Sequence, residues 1–413
     1  MENEVNQLIG SFKFNYSQNT IIMETKIITL LTILIGLSGF SQQTYVPDDN
    51  FEQALIDLGY DTVLDDYVTT ADISSVTSLT VDNMNIADLT GIEDFVALTY
   101  MNCSGNLLTS LDLSQNTNLE NFNCSFNQIT SLDITNNLAI IAANCRMNEI
   151  ATLNVSPLAN LTVLKCSGNP ISSLDLTQNS ALEQLECGGN QLNSLDLTQN
   201  PSLYYLLCAG NPFSELNVSQ NPLLEYLGTN NCESLTSLDL SQNLVLKELS
   251  CVNNLLTELD LSIQTDLTYL NCNANQLTNL NVKNGNNTNV TYFVAMNNSN
   301  LNCITVDDVA YSTTNWTDID PQTSFNLDCS LSVGDHDLNE SVVVFPNPTK
   351  GVLNVLMVED GTYNILTMSG QILKTGLINN GENRIDVSSM AQGIYVLNIK
   401  TMNATLSKKL ILN

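Results

Sequence analysis

Cysteine returns every 21 residues, at Cys103, Cys124, Cys145, Cys166, Cys187 and Cys208, and the period resumes at Cys251 and Cys272. One frame surrounds each: Leu98-x-x-Met101-x-Cys103-x-x-Asn106-x-Leu108 in one copy, Leu182-x-x-Leu185-x-Cys187-x-x-Asn190-x-Leu192 in another. Apolar residues at i, i+3, i+5 and i+10 fit neither a long helix nor a hairpin. They fit a short strand followed by a turn that brings the chain back beneath it. A single such coil cannot bury its own leucines. Stacking copies at the ~4.8 Å spacing of paired strands buries a continuous apolar column and makes each strand part of a parallel sheet. At about 0.8 kcal/mol per buried methylene, that burial is available only to the array as a whole.

The column Asn106, Asn127, Asn148, Asn169, Asn190, Asn211, Asn254, Asn275 and Asn298 falls where the chain leaves the strand and its backbone loses ladder partners. An amide both donates and accepts, so it can satisfy those groups. The second half of the coil repeats as Leu111-Asp112-Leu113-Ser114-x-Asn116 and Leu174-Asp175-Leu176-Thr177-x-Asn179. This is an inward-outward-inward pattern, so extended structure is expected on both long sides of the coil, with no convex helix. Its middle slot reads Asp112, Asp133, Asn154, Asp175, Asp196, Asn217, Asp239, Asp260, Asn281. That column would either be a solvated acidic surface or hold calcium through shared carboxylates.

On these residues the chain resembles the leucine-rich repeat family, with cysteine in the third apolar slot of L-x-x-L-x-L-x-x-N/C-x-L. The resemblance covers roughly 76 to 303, and the segment Val76 to Ile92 is similar to the leading repeats of internalin-type surface proteins. It implies a mainly β solenoid of about ten 21-residue coils. Val46 to Ile56 reads as an acidic helix start with an apolar face, an N-terminal cap. Ala295 takes the cysteine slot near the far end, where the stretch from Ile304 to Cys329, with the lone Trp316, should fold over the last coil.

The 11 cysteines would suggest a disulfide framework in an exported chain. In-register neighbours, however, place Cβ atoms ~4.8 Å apart, beyond the usual disulfide span. The column is therefore expected to be reduced, buried and inert, with Cys232 in an asparagine slot of an irregular copy. Cys303 and Cys329 lie outside the column, where a disulfide between them would protect the last coil.

An apolar run from Ile27 to Gly39 follows Lys26 and ends in small residues, with the length of a signal-peptide core. We expect an upstream extension and signal over 1–41, with the start at Met23 and cleavage after Ser41. The cap and first coil then occupy 42–97, the repeats 98–303, a C-terminal cap and linker 304–333, and a separate domain 338–413. No later run is long and apolar enough to anchor the chain in a bilayer.

The formal charge is −31, and the last domain, with six basic residues against five acids, contributes none of that negative balance. The repeats therefore repel phosphate backbones, which points away from nucleic acid. In the last domain, short period-two apolar segments separated by glycines predict a small, immunoglobulin-like β-sandwich. It resembles the type A C-terminal sorting domain of type IX secretion. The matching residues are Pro346, Asn347, Pro348, Gly351, Gly393, Tyr395, Lys408 and Lys409, with Ile385-Asp386-Val387-Ser388-Ser389. The resemblance implies passage across the outer membrane by the type IX machinery, then release or attachment at the surface of a Gram-negative bacterium.

Tyr100, Tyr205, Tyr226, Tyr269 and Tyr292 share the outward slot before the second leucine, with Tyr204 beside them. Aromatic rows on a concave sheet favour contact with a protein or glycan, although tyrosine also simply suits strands. There is one histidine, no phosphate-cradling glycine loop, and no acid pair that the repeats single out. The expectation is a binding protein, active in adhesion or capture, without enzymatic activity, cofactor or metal. A structural coat protein, calcium-organised or not, and a surface hydrolase are the alternatives.

Overall fold

The computed structural model describes residues 42–232, 234–329, 342–357, 359–401 and 405–413. The expected signal segment lies outside them. The chain divides into two compact units between Phe325 and Asn326.

In the first unit, short strands, most of three residues, stack into a 12-stranded sheet running from Ser78–Thr80 through Gln184–Glu186 to Asp318–Ile319. Its strand pairings are parallel and advance one coil at a time, so Leu164, Leu185 and Leu206 are partners in register. The ladder thus continues beyond the repeats of 98–303 at both ends. One continuous core holds the leucines and all eight column cysteines, each at most 1% exposed. The turn after each strand passes through left-handed backbone two residues past the cysteine slot. Glycine fills that slot at Gly105 and Gly168, but Phe126 and Met147 are forced into it at φ 56° and 54°.

The expected second strand forms only in part. Leu111–Asp112 pairs with Leu132–Asp133, and a four-stranded sheet runs from Glu258–Asp260 to Ser324–Asn326. Between Leu153 and Leu240 that side carries no strand. Each side chain of the Asp/Asn column accepts the N–H two residues on, as Asp112 does from Ser114 at 2.9 Å and Asn154 from Ser156 at 3.1 Å. The same turns occur in the coils that do pair, at Asp112, Asp133, Asp260 and Asn281, so they do not by themselves set where the strand forms.

Both ends are closed. The helix Asp49–Asp57 is capped by Asp48, whose Oδ1 accepts from Asn50 and Phe51. Its Oδ2 accepts the backbone N–H of Ala87 and Asp88, tying the cap to the first coil. The fully buried Glu52 accepts from Asp65, Asp66 and Tyr67. At the far end Trp316 stacks on Phe293 at 4.2 Å, and Asp320 accepts from Asn297 and Asn298.

The second unit contains two antiparallel sheets, one of three strands and one of four, around a shared core that includes Leu353, Val355, Ile365, Leu397 and Leu410. This is the small β domain expected of the tail.

Candidate functional site

Two asparagine columns hold the coils at fixed spacing, and the register of the outward face depends on that spacing. Asn190 Nδ2 donates to Cys187 O of its own coil at 2.9 Å and to Cys166 O of the preceding coil at 3.2 Å. Its Oδ1 accepts the N–H of Ile171 at 3.2 Å, again from the preceding coil. Where Cys232 replaces the amide, its Sγ takes the donor's part toward Cys208 O at 3.7 Å.

The second column comprises Asn116, Asn137, Asn179, Asn200, Asn221 and Asn243, all 0% exposed. The sequence shows the repeat but not its role. Asn200 Nδ2 donates to Leu176 O at 3.1 Å and Asn179 O at 2.8 Å, both in the preceding coil. The Oδ1 atoms of this column have no hydrogen-bond partner among the described residues.

The cysteine column is chemically quiet. Nine cysteines are free and buried. Burial pushes the thiols of Cys103, Cys145 and Cys272 up to about 12 and those of Cys124, Cys166 and Cys187 well above their ordinary value. Such thiols supply no thiolate nucleophile. Cys303 and Cys329 are disulfide-bonded. The acidic column is occupied by the turns described above. Among the described residues no group of three or more His, Cys, Asp or Glu side chains is placed to hold a metal ion.

On the outward face, the register sorts the tyrosines. Tyr205 and Tyr226 are ladder partners, and their rings stack with centroids 4.4 Å apart and planes 9° from parallel. Tyr269 and Tyr292 do the same at 4.3 Å and 2°. Tyr100 stands apart, between Ser78 and Asn121. Tyr204 has its hydroxyl bonded by Gln184 Nε2. Partial burial, then Tyr226 and Glu186 beside it, push the Tyr205 hydroxyl up to about 12. The Tyr292 hydroxyl is raised chiefly by Tyr269. These phenols stay neutral hydrogen-bonding groups at physiological pH. Between the two stacks the same slot holds Glu248, partnered by Tyr226 on one side and Tyr269 on the other. It was legible as one more outward residue before a leucine, but a carboxylate in so acidic a chain carries no individual signal.

In the tail, the sorting-motif residues lie on one turn, 346–351, and on the two strands Gly393–Thr401 and Thr405–Leu412. Asn347 Nδ2 donates to Lys409 O at 2.6 Å and its Oδ1 accepts from Ile411 N at 2.9 Å. Pro346 and Pro348 flank it. Lys408 Nζ donates to Val342 O at 2.8 Å. Gly351 O accepts from Val387 N at 2.7 Å. Gly393 and Tyr395 lie on the strand that pairs with Thr405–Leu412, and the Tyr395 hydroxyl donates to Ala391 O at 2.8 Å.

Fold and tail together define a leucine-rich repeat solenoid joined to an export domain. Residues 343–413 match the model of the secretion system C-terminal sorting domain. Internalin J of Listeria monocytogenes is 37% identical over 89 residues, which are 22% of this chain and 10% of that protein. The chain therefore matches about a tenth of that relative's length. An internalin (inlF) structure from Listeria monocytogenes superposes with a TM-score of 0.51 at 20% identity, covering 71% of this chain and 95% of the other. The functional domain of InlJ aligns over 90% of this chain and 99% of its own at 22% identity, with a TM-score of 0.34. At 20% identity the inlF likeness establishes the fold. The chain is a leucine-rich repeat protein with a type IX C-terminal sorting domain, a tail that implies secretion or attachment at the outer surface. Among the described residues no helix is long and apolar enough to cross a membrane.

Proposed function

We propose that the chain is a non-enzymatic binding protein of a Gram-negative cell surface. The tail of 338–413 hands it to the type IX machinery, and the repeat face of 98–303 captures a protein or polysaccharide partner. The observation that carries this reading is the pair of stacked tyrosine dyads on one register of a continuous parallel sheet. Rings locked against each other lose little side-chain entropy on binding and offer their hydroxyl edges to a partner, as interface hot spots do. The inward side of the same strands is given to core leucine and to thiols held protonated, so chemistry and recognition are kept apart.

The test is a binding screen of the full chain against glycan and surface-protein panels, repeated with Tyr205→Ala plus Tyr226→Ala. Expected is at least one bound partner whose affinity falls tenfold or more in the variant, with no panel member cleaved. Equal binding by both forms overturns the tyrosine assignment, and turnover of a panel member overturns the non-enzymatic one.

A further inference from the structure

Resting on that reading, we infer that Tyr226, Glu248 and Tyr269 form a slot for the side-chain ammonium of a lysine on a partner polypeptide. The stack geometry sets the orientation of the walls. Because the centroid separation in each tyrosine pair, 4.4 and 4.3 Å, is close to one rung of the ladder, the rings face along the solenoid axis rather than outward. Within each pair one face is therefore covered. The free face of Tyr226 looks toward Tyr269 across a single rung, and that rung carries Glu248.

The two rings are two rungs apart, ~9.6 Å. Subtracting about 3.5 Å for ring thickness leaves a gap of about 6 Å. A cation centred there lies roughly 4.8 Å from each ring, inside the ~6 Å range over which aromatic faces attract cations. The shorter Glu248 side chain leaves its carboxylate at the floor. The next positions on the two strands, Gly228 and Ser250, are small and buried, with the Tyr226 ring lying beside Gly228, so approach to the slot is from the solvent side of the sheet.

The charges favour the same occupant. Glu186 is paired with Lys165 and Glu225 with Lys247, each at 2.8 Å. Glu248 is exposed, and no ion pair engages it among the described residues. It is the one carboxylate in the row Gln184, Tyr205, Tyr226, Glu248, Tyr269, Tyr292. A lysine stem would lie along the rings while its ammonium meets the carboxylate. The chain's net charge of −31 draws a basic polypeptide toward this face.

The test is calorimetric titration of the full chain, at 0.15 M salt, with an acetylated and amidated peptide of alternating lysine and glycine. Glu248→Gln is compared with Glu258→Gln, which removes the same charge from an exposed position on the other sheet. Expected is at least a tenfold loss of affinity for Glu248→Gln and for Tyr269→Leu, less than twofold for Glu258→Gln, and no binding of the lysine-acetylated peptide. Equal effects of Glu248→Gln and Glu258→Gln, or binding of the acetylated peptide, overturn the slot. A partner that depends on Tyr205 and Tyr226 but ignores Glu248→Gln also overturns it, while leaving the tyrosine face standing.

Discussion

Truncating one asparagine from each column separates their contributions, because Asn190→Ala and Asn200→Ala delete the same atoms from sites that are 7% and 0% exposed. The cavity term therefore nearly cancels between them. Without Asn190, Cys166 O keeps Asn169 Nδ2, Cys187 O keeps Asn211 Nδ2, and Gly188 O keeps the N–H of Gly168. Ile171 N–H keeps nothing. An orphaned buried donor costs about 1–3 kcal/mol and each of the three amide-donated bonds about 1, so roughly 4–6 kcal/mol is expected in all. Without Asn200, Leu176 O still accepts from Asn179 N and Asn179 O from Leu182 N, both at 3.0 Å. The substitution also removes an oxygen that had no partner, so the net cost is about 1 kcal/mol or less. Urea unfolding followed by far-UV circular dichroism gives both values, provided the slopes agree. Amide exchange at Ile171 checks the mechanism, since its protection should fall only in Asn190→Ala. An equal cost for the two variants, or a larger one for Asn200→Ala, would refute the reasoning.

Acid should weaken the array through the aspartate column. The backbone N–H two residues on holds the carboxyls of Asp112, Asp175, Asp196 and Asp239 below their ordinary range, and for Asp133 the Thr135 hydroxyl leads. A depressed folded value means stabilisation that is present above the unfolded value of about 3.9 and lost as pH falls through the folded one. Changing all five to Asn keeps the acceptor, as native Asn154 does, so thermal melts should show a flatter acid limb. An unchanged limb would assign the acid sensitivity elsewhere. Thr229 stands in a cysteine slot with its hydroxyl fully buried and unpartnered, so Thr229→Val should raise stability by about 1 kcal/mol. A lower urea midpoint would show that the hydroxyl is satisfied.

Much of this was legible in the residues, because a 21-residue period with apolar slots at fixed offsets leaves the chain one way to bury its leucines. The sheet, the buried thiols and the bridging role of Asn106 to Asn298 all follow from that register. The tyrosine stacks also follow, since Tyr205 and Tyr226 occupy one slot in adjacent copies, while Tyr100 has Ser78 and Asn121 for neighbours. The second asparagine column was not legible in its role. A polar residue at a turn ordinarily meets water, and only the carbonyls of the preceding coil make Asn200 an interior residue. Nor could the pattern Leu-Asp-Leu report that its strands would be absent between Leu153 and Leu240.

Leu158 shows how the array divides its tasks. It occupies the second asparagine slot, fully buried, and its carbonyl still receives Asn179 Nδ2 at 2.8 Å. An apolar residue can serve there because the carbonyls to which that amide would donate belong to a turn that is already bonded. Within 98–303 the first column is broken only at Cys232, which retains a donor, and in the first coil Met84 fills the slot. Stacking therefore rests mainly on the buried leucines and on a side-chain donor at one slot per coil. The slot before the second leucine is free to read Tyr205, Tyr226, Glu248 and Tyr269 in succession without disturbing the register. On the proposed reading, the surface offered to a partner can change at that slot while the coil beneath it stays the same.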